Sequence, residues 1–188
     1  MKQIIITVIL CATALVALRI AAPKQECNSN VIEAIYARRS IRQYTDCAVE
    51  REKLMEVARA GIAAPNAMNR QAWAIRVVGS KEWIKRCTEA YLPTIEGTPI
   101  AEHLLTPDFK NMFRNAPAVI FIAHKPGMYT QVDCGLMAGN IMLAAKSLGL
   151  GTVCMAGPIA SFVNQPAGAE FRQKLNFSEG YEPLICIG

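Results

Sequence analysis

The chain has 188 residues, 52% of them hydrophobic, and a formal net charge of +5 at pH 7, which predicts one domain with a sizeable core. Residues 1–22 contain Lys2 and Arg19 but no acidic residue, so the remaining 18 basic and 15 acidic side chains leave an excess of +3. An excess this small, with few aromatic residues beside the arginines, argues against a nucleic-acid-binding protein.

The amino terminus differs in composition from the rest of the chain. Residues 4–18 contain nothing more polar than Thr7 and Thr13, and Lys2 precedes them. A cationic start followed by an apolar run shorter than ~20 residues is typical of a secretory signal or an uncleaved membrane anchor. A buried core helix is the alternative. We expect residues 1–24 to be a signal peptide or N-terminal anchor, and the protein to be exported, periplasmic or held on the outer side of the inner membrane.

The seven cysteines do not form a zinc-binding pattern. No two of them have Cys-x-x-Cys spacing, and His103 and His124 are the two histidines of the sequence. We therefore expect no metal site. In an exported protein Cys27 and Cys47 could form a disulfide, but the sequence leaves this pairing open.

Two helices and a basic segment are predicted first along the chain. Residues 28–30 can cap a helix that begins at Val31, and an amphipathic helix is predicted over residues 50–63. Between them, residues 38–42 (Arg-Arg-Ser-Ile-Arg, the arginine segment) bring three guanidiniums and a hydroxyl together. These groups suit phosphate oxygens. A solvated basic turn at a helix C-terminus is the alternative interpretation.

A second polar cluster follows the amphipathic helix. Residues 64–71 (Ala-Pro-Asn-Ala-Met-Asn-Arg-Gln, the amide loop) carry the side-chain amides of Asn66, Asn69 and Gln71. A primary amide has a donor and an acceptor in one plane, which suits the edge of a flat heterocycle. Loop capping by the asparagines is the alternative. If the two clusters converge in space, they predict a site for a flat, phosphorylated ring such as flavin mononucleotide (FMN).

The rest of the chain alternates between strands and helices. Strands are predicted at residues 73–78, 119–123, 152–156 and 183–187, and helices at residues 82–91, 131–148 and 170–175. Residues 93–107, which contain three prolines, are predicted to be a long loop on the substrate side. A helix is predicted to begin near Pro107 and to end over residues 111–114. These elements predict an α+β fold with helices around a mixed central sheet.

The longest predicted helix, residues 131–148, is apolar on nearly every side. Such a helix must be buried all round, which in a chain of this size suggests a second subunit. The small residues Gly135, Ala138 and Gly139 would let another helix approach closely. A central helix of a monomer is the alternative. Gly149 can end the helix in a left-handed conformation.

The arginine segment and the amide loop, in this order and spacing, resemble the nitroreductase family of FMN-dependent oxidoreductases. The similarity continues through Asp133, Asn140 and residues 149–151, and covers roughly residues 30–188. It implies a nitroreductase-like fold whose long buried central helix lies at a homodimer interface. It also implies FMN as cofactor, NADH or NADPH as hydride donor, and an electron-poor acceptor such as a nitroaromatic or a quinone.

The resemblance also implies roles for individual residues. It assigns the phosphate and ribityl chain of FMN to Arg38, Ser40 and Arg42, with Arg39 beside them. It assigns the polar edge of the flavin to Asn66, Asn69 and Gln71, and the face of the ring to Ala156 and Gly157. No catalytic side chain is expected, because the flavin carries the redox chemistry.

Family members usually continue beyond the last strand with a further basic residue and an arm around the partner subunit. This sequence ends at Gly188, so we expect the FMN-binding domain, residues 25–188, to lack that arm. Two other functions stay open. One is a specialised superfamily branch that dehalogenates substrates or fragments flavin. The other is a non-catalytic module that binds flavin weakly.

Overall fold

The computed structural model describes residues 29–188. The predicted signal peptide or anchor, residues 1–24, and the cysteine pairing that involves Cys27 lie outside the described residues. Within residues 29–188, no helix combines the length and the apolar character that a bilayer crossing requires.

The helices and strands alternate along the chain, much as the sequence pattern predicts. The α-helices of the described residues are α1 (Ser29–Ala37), α2 (Arg51–Ile62), α3 (Lys81–Ile95), α4 (Pro99–Leu104), α5 (Thr130–Ser147) and α6 (Ala169–Lys174). The strands are β1 (Trp73–Val78), β2 (Val119–His124), β3 (Cys154–Met155) and β4 (Glu182–Ile187). Short helical turns lie at Ala67–Asn69, Ile159–Val163 and Pro166–Gly168.

The strands form one sheet in the order β1-β2-β4-β3. Neighbouring strands are antiparallel. Within residues 29–188, the parallel component of the predicted mixed sheet is a single bridge between Ser40 and Thr152. β2 is apolar up to its final histidine and buried along its whole length, as expected for a strand covered on both faces. The bridge places the arginine segment beside the β3 edge of the sheet.

Successive residues of β2 pack into two different cores. Phe121 belongs to an aromatic core beneath α3, in which its ring meets Trp83 edge-to-face at 5.6 Å between centroids. Ile120 and Ile122 belong to an aliphatic core beneath α2 and α5. Because side chains alternate between the faces of a strand, one apolar strand supports a helical layer on each side.

The α2 and α5 helices pack closely in opposite directions. A Cβ added to Gly61, near the end of α2, would lie 2.6 Å from Cγ1 of Ile141, so this glycine permits the close approach. The amide of Asn140 on α5 donates to the carbonyl of Ala60 at 3.2 Å. The end of α2 therefore lies beside the middle of α5, and the amide loop that follows continues toward the start of α5.

The predictions for residues 93–114 are wrong in two respects. The α3 helix continues through Pro93 to Ile95, and α4 follows, so this stretch is not one long loop. Residues 107–114 form turns instead of a helix end. The side-chain oxygen of Asn115 accepts from the amides of Lys110 and Asn111 at 2.7 and 3.1 Å. Asparagine side chains offer the backbone this alternative to a helix, which hydrophobic periodicity does not reveal.

Candidate functional site

The arginine segment is held against the strand β3 and the C-terminal end of α5. The amide of Ile41 donates to the carbonyl of Thr152 at 2.9 Å. The hydroxyl of Tyr44 donates to the carbonyl of Ile41 at 2.7 Å. Burial raises the pKa of Tyr44 to about 12, against a smaller opposing effect of Arg42. The hydroxyl therefore remains a hydrogen-bond donor to the segment at alkaline pH values where an ordinary tyrosine would lose its proton.

The guanidiniums of the arginine segment line two different cavities. Arg38 and Arg39 line a cavity of about 230 Å³ with Lys146 (the Arg38 cavity). Arg42 lines a second cavity of about 430 Å³ (the Arg42 cavity). Arg39 is already engaged, since its Nη1 donates to the carbonyls of Tyr36 and Arg38 at 2.6 and 2.8 Å. Nη1 of Arg42 donates to the carbonyl of Ser40 in a long hydrogen bond of 3.3 Å. Most of the five N–H donors of Arg42 are therefore available to a ligand.

The Arg42 cavity also contains the glycine predicted from the sequence. Gly157 lines it together with Met155, and Ala156 between them is exposed. A Cβ added to Gly157 would meet no atom of the described residues within 4 Å. Open space therefore lies in front of this backbone, where a flat ring can approach without a side chain in the way. The fold thus brings Arg42 and Gly157 to one cavity.

Two basic residues of the Arg42 cavity were not found by sequence reasoning. His103, in the last turn of α4, and Arg114, just before β2, both line it. Arg114 lies in the stretch that was predicted to be helical. An arginine five residues before a fully buried strand, in the turn that leads into it, is the signal that could have pointed to it.

The amide loop lies at the other end of α5. The amide of Ala67 donates to Oδ1 of Asp133 at 3.0 Å, and Asp133 lies in the first turn of α5 with 5% of its surface exposed. Oδ1 of Asn66 accepts from the amide of Gln71 at 2.8 Å. The side-chain oxygen of Asn66 thus fixes the loop, in agreement with the loop-capping interpretation, whereas Asn69 and Gln71 are exposed.

The backbone of the amide loop is strained. Met68, Asn69 and Gln71 have φ values of 56°, 50° and 50°. A left-handed conformation costs a non-glycine residue roughly 1–2 kcal/mol, and asparagine tolerates it better than methionine or glutamine. Such strain persists only where the surroundings hold it, and it is concentrated at binding sites. The loop is therefore a candidate binding element whose shape depends on its anchors.

Within one chain, the arginine segment and the amide loop do not meet. One lies beside Lys146 and the other beside Asp133, and these residues are 13 positions apart on α5. At a rise of 1.5 Å per residue, this separates the two clusters by roughly 20 Å. The predicted convergence does not occur inside one chain. The sequence could not show this, because a motif does not reveal which end of a distant helix it will contact.

Between the two clusters, a strip of apolar and small residues on α5 is left uncovered by residues 29–188. Val132 is 61% exposed and Leu136 is 45% exposed. A Cβ added to Gly135 or Gly139 would meet no atom of the described part of the chain within 4 Å. The spacing of these four residues places them on one helix face. The α1 helix, which packs against α5, adds exposed apolar side chains that include Ile35 and Tyr36.

Comparison with known proteins identifies the family. Residues 35–188 match the family model described as the nitroreductase family. A solved structure of a nitroreductase with bound FMN from Desulfitobacterium hafniense DCB-2 superimposes with a TM-score of 0.73 at 30% identity, over 84% of this chain and 86% of that one. The predicted nitroreductase-like α+β fold is thereby confirmed.

Two curated relatives are similar in sequence. A protein of Archaeoglobus fulgidus, whose name proposes an NADH dehydrogenase or NAD(P)H nitroreductase, is 33% identical over 129 residues, covering 65% of this chain and 64% of the relative. The FMN reductase [NAD(P)H] of Bacillus subtilis strain 168 is 32% identical over 139 residues, covering 66% and 53%. The chain thus spans between about half and two thirds of the length of these relatives. By the match over residues 35–188, the chain belongs to the nitroreductase family.

Proposed function

We propose that the protein is a homodimeric, FMN-dependent oxidoreductase. It takes hydride from NADH or NADPH and reduces an electron-poor acceptor such as a nitroaromatic or a quinone. The observation that carries this proposal is the position of the two polar clusters at opposite ends of α5. Each cluster suits one part of FMN, and one chain does not bring them together.

Two copies of the chain would bring the clusters together. If two α5 helices pack antiparallel about a two-fold axis, the end of each helix meets the start of the other. The arginine segment of one subunit then faces the amide loop of its partner, and two equivalent sites form. The uncovered strip with Val132, Gly135, Leu136 and Gly139 supplies the apolar, close-packing surface that such a contact needs.

The residues present fit FMN. Arg38 and Arg42 line separate cavities in the single chain, but they flank Ser40, and their long side chains would turn toward a phosphate bound at its hydroxyl and offer it charge-assisted donors. Arg39, being engaged with backbone carbonyls, contributes its charge. The open backbone at Ala156 and Gly157 leaves room for a flat ring. The exposed amides of Asn69 and Gln71, contributed by the partner subunit, match the donors and acceptors of the ring edge. Asn66 holds the loop that presents them.

The residues of the chain bind and orient the reactants. When bound, FMN would supply the redox chemistry, because it accepts hydride from a reduced nicotinamide and passes electrons to a second substrate. The guanidiniums hold the anionic end of the cofactor, and the backbone at Gly157 leaves the ring face accessible. With a ring bound, the apolar wall that includes Met155 and Leu104 would displace water from its face. No nucleophile or acid/base pair of the chain is needed.

Spectroscopy of the purified protein tests this proposal. The protein should bind FMN and be yellow, lose its colour anaerobically with NADH or NADPH, and regain it when a nitroaromatic or a quinone is added. It should also elute as a dimer. A protein that takes up no FMN, or whose FMN is not reduced by either nicotinamide, would contradict the proposal.

We also infer that the protein is exported. The support is the apolar run of residues 4–18 behind Lys2, which is typical of a signal or anchor. Fractionation of cells that produce the full chain should place it outside the cytoplasm. A purely cytoplasmic protein of full mass would contradict the inference.

A further inference from the structure

The Arg42 cavity has an excess of positive charge. Of the residues that the structure describes, Arg42, His103 and Arg114 line it, and no aspartate or glutamate among them does. Among residues 29–188, the observed ion pairs involve none of these three side chains. The remaining lining is mostly apolar and includes Ile100, Leu104 and Met112. A basic cavity with apolar walls suits a ligand that has both an anionic group and an aromatic body.

The proposed cofactor accounts for only part of this charge. FMN brings one phosphate, for which the arginine segment supplies Arg38 and Arg42 with the hydroxyl of Ser40. Arg114 and His103 belong to other elements, the turn before β2 and the last turn of α4. Two basic side chains thus line the cavity beyond the segment assigned to the phosphate.

Arg114 is held in place by a rigid turn. Arg114 and Asn115 have φ values of 55° and 65°, and Asn115 accepts from two backbone amides within the turn. Nδ2 of the buried Asn111 donates to the carbonyl of Ala116 at 3.2 Å. The backbone on both sides of Arg114 is therefore fixed, so only its side chain has to be ordered when the guanidinium binds a ligand.

We propose that the acceptor carries a carboxylate, which Arg114 binds with help from His103. This inference rests on the proposed function and adds a substrate class to it. A guanidinium pairs with a carboxylate through two parallel hydrogen bonds, and an imidazole adds a third donor. The apolar residues of the cavity then contact the electron-poor ring.

The carboxylate is not changed in the reaction. For a nitroaromatic acid, the nitro group takes two electrons and two protons, supplied as the hydride of NADH or NADPH and one solvent proton. The products are the nitroso compound, water and the oxidised nicotinamide. The role of Arg114 and His103 is therefore binding specificity.

Two substrates that differ only in the charge of one group test the proposal. 4-Nitrobenzoate and methyl 4-nitrobenzoate are compared in the wild-type enzyme and in Arg114→Gln. Loss of the charged pair should lower kcat/KM for the acid by about tenfold or more, mostly through KM, and change that for the ester by less than about threefold. Arg114→Lys should recover part of the preference, since it keeps the charge but not the bidentate geometry.

Control variants separate this effect from general damage. Arg86 is an exposed arginine that pairs with Glu170 at 3.2 Å and lies outside the Arg42 cavity. Arg86→Gln should therefore leave kcat/KM unchanged for both the acid and the ester. His103→Gln should reduce the preference for the acid by a smaller factor and serves as the second variant if Arg114→Gln unfolds. Equal losses for both substrates, or loss of FMN from Arg114→Gln, would assign Arg114 to the cofactor and overturn the proposal. Unchanged kinetics in Arg114→Gln would overturn it as well.

A binding measurement makes the result independent of turnover. Ligand-detected NMR on the purified protein should show 4-nitrobenzoate binding about tenfold more tightly than its methyl ester, and Arg114→Gln should remove the difference. Equal binding of acid and ester overturns the carboxylate proposal even if the enzyme is active. The protein could instead bind the acid more tightly than the ester while neither NADH nor NADPH reduces its FMN. That result would overturn the proposed function and leave the carboxylate site standing.

Discussion

The two ends of α5 hold their binding residues in different ways. At the C-terminal end, the arginine segment forms a β-bridge with Thr152 in ordinary backbone conformations, and long arginine side chains extend from it. At the N-terminal end, the amide loop is strained at three residues and is anchored by Asp133. Flexible side chains on a regular backbone tolerate small shifts, whereas short amides on a strained loop depend on each anchor. We expect single substitutions to be more damaging at the N-terminal end.

The largest effect is expected where the two ends would meet across a dimer. Leu136→Arg places a charge on the uncovered strip of α5, so it should yield a monomer. A monomer lacks the amide loop of the partner subunit and the several hydrogen bonds, ~1 kcal/mol each, that this loop would make to the cofactor. FMN affinity should therefore fall by about 100-fold. Light scattering and FMN titration measure both quantities.

A matched control for this substitution is Leu105→Arg. Leu105 is 46% exposed, close to the 45% of Leu136, but it follows α4, whose Leu104 packs in the aromatic core and not in the aliphatic core of α5. This variant should remain dimeric. A dimeric Leu136→Arg, or a monomer that still binds FMN with wild-type affinity, would contradict the interface through α5.

The next effect tests the anchor of the amide loop. Asp133→Ala leaves the amide of Ala67 without its acceptor, which should cost about 1–3 kcal/mol of stability. It should also weaken FMN binding, since Asn69 and Gln71 lose their fixed positions. Asp133→Asn keeps an oxygen acceptor and should restore most of both. Thermal unfolding and FMN titration measure the two effects, and equal behaviour of the alanine and asparagine variants would argue against the anchoring role.

A smaller effect is expected for a single arginine of the more tolerant end. Arg38→Ala removes charge-assisted hydrogen bonds to phosphate, which should weaken FMN binding by about tenfold or more. Arg59 is an exposed arginine paired with Glu56 at 3.4 Å, and Arg59→Ala should leave FMN affinity unchanged. Retained FMN is measured by absorbance after dialysis. Equal losses in the two variants would refute the phosphate assignment.

The smallest effect is expected from Tyr44→Phe. The variant loses the hydrogen bond to the carbonyl of Ile41, worth about 1 kcal/mol. Because the pKa of Tyr44 is raised from 10.0 to about 12, its stabilisation is present below pH 10 and is lost as the pH rises toward 12. Unfolding measured between pH 9 and pH 12 should therefore show a steeper loss of stability in the wild type than in Tyr44→Phe. Parallel curves would contradict the assignment.

Local patterns in the sequence predicted most of the fold. The strand at residues 73–78 and the buried strand from Val119 follow from apolar, β-branched runs, and Gly149 ends α5 with a φ of 76°. The prediction of a helix over residues 107–114 is wrong because the side chains of Asn111 and Asn115 accept hydrogen bonds from backbone amides there and hold turns instead. This competition depends on geometry and leaves no periodic signal.

The candidate site was less accessible to sequence reasoning. The residue types indicated the chemistry, since guanidiniums suit phosphate and amides suit a heterocycle. Their arrangement could not be predicted, because the contacts with Thr152 and Asp133 that separate them along α5 are long-range. For the same reason Arg114, which reaches the Arg42 cavity from a distant turn, was not recognised.

Mixing two defective chains tests most directly whether the site is shared between subunits. One chain carries Arg38→Ala with Arg42→Ala, and the other carries Asn69→Ala with Gln71→Ala. Each variant alone should bind little FMN, whereas their co-produced heterodimer should regain one intact site and bind about one FMN per dimer. If each site lay within a single chain, every chain of the mixture would keep its own defect, and no FMN binding would return.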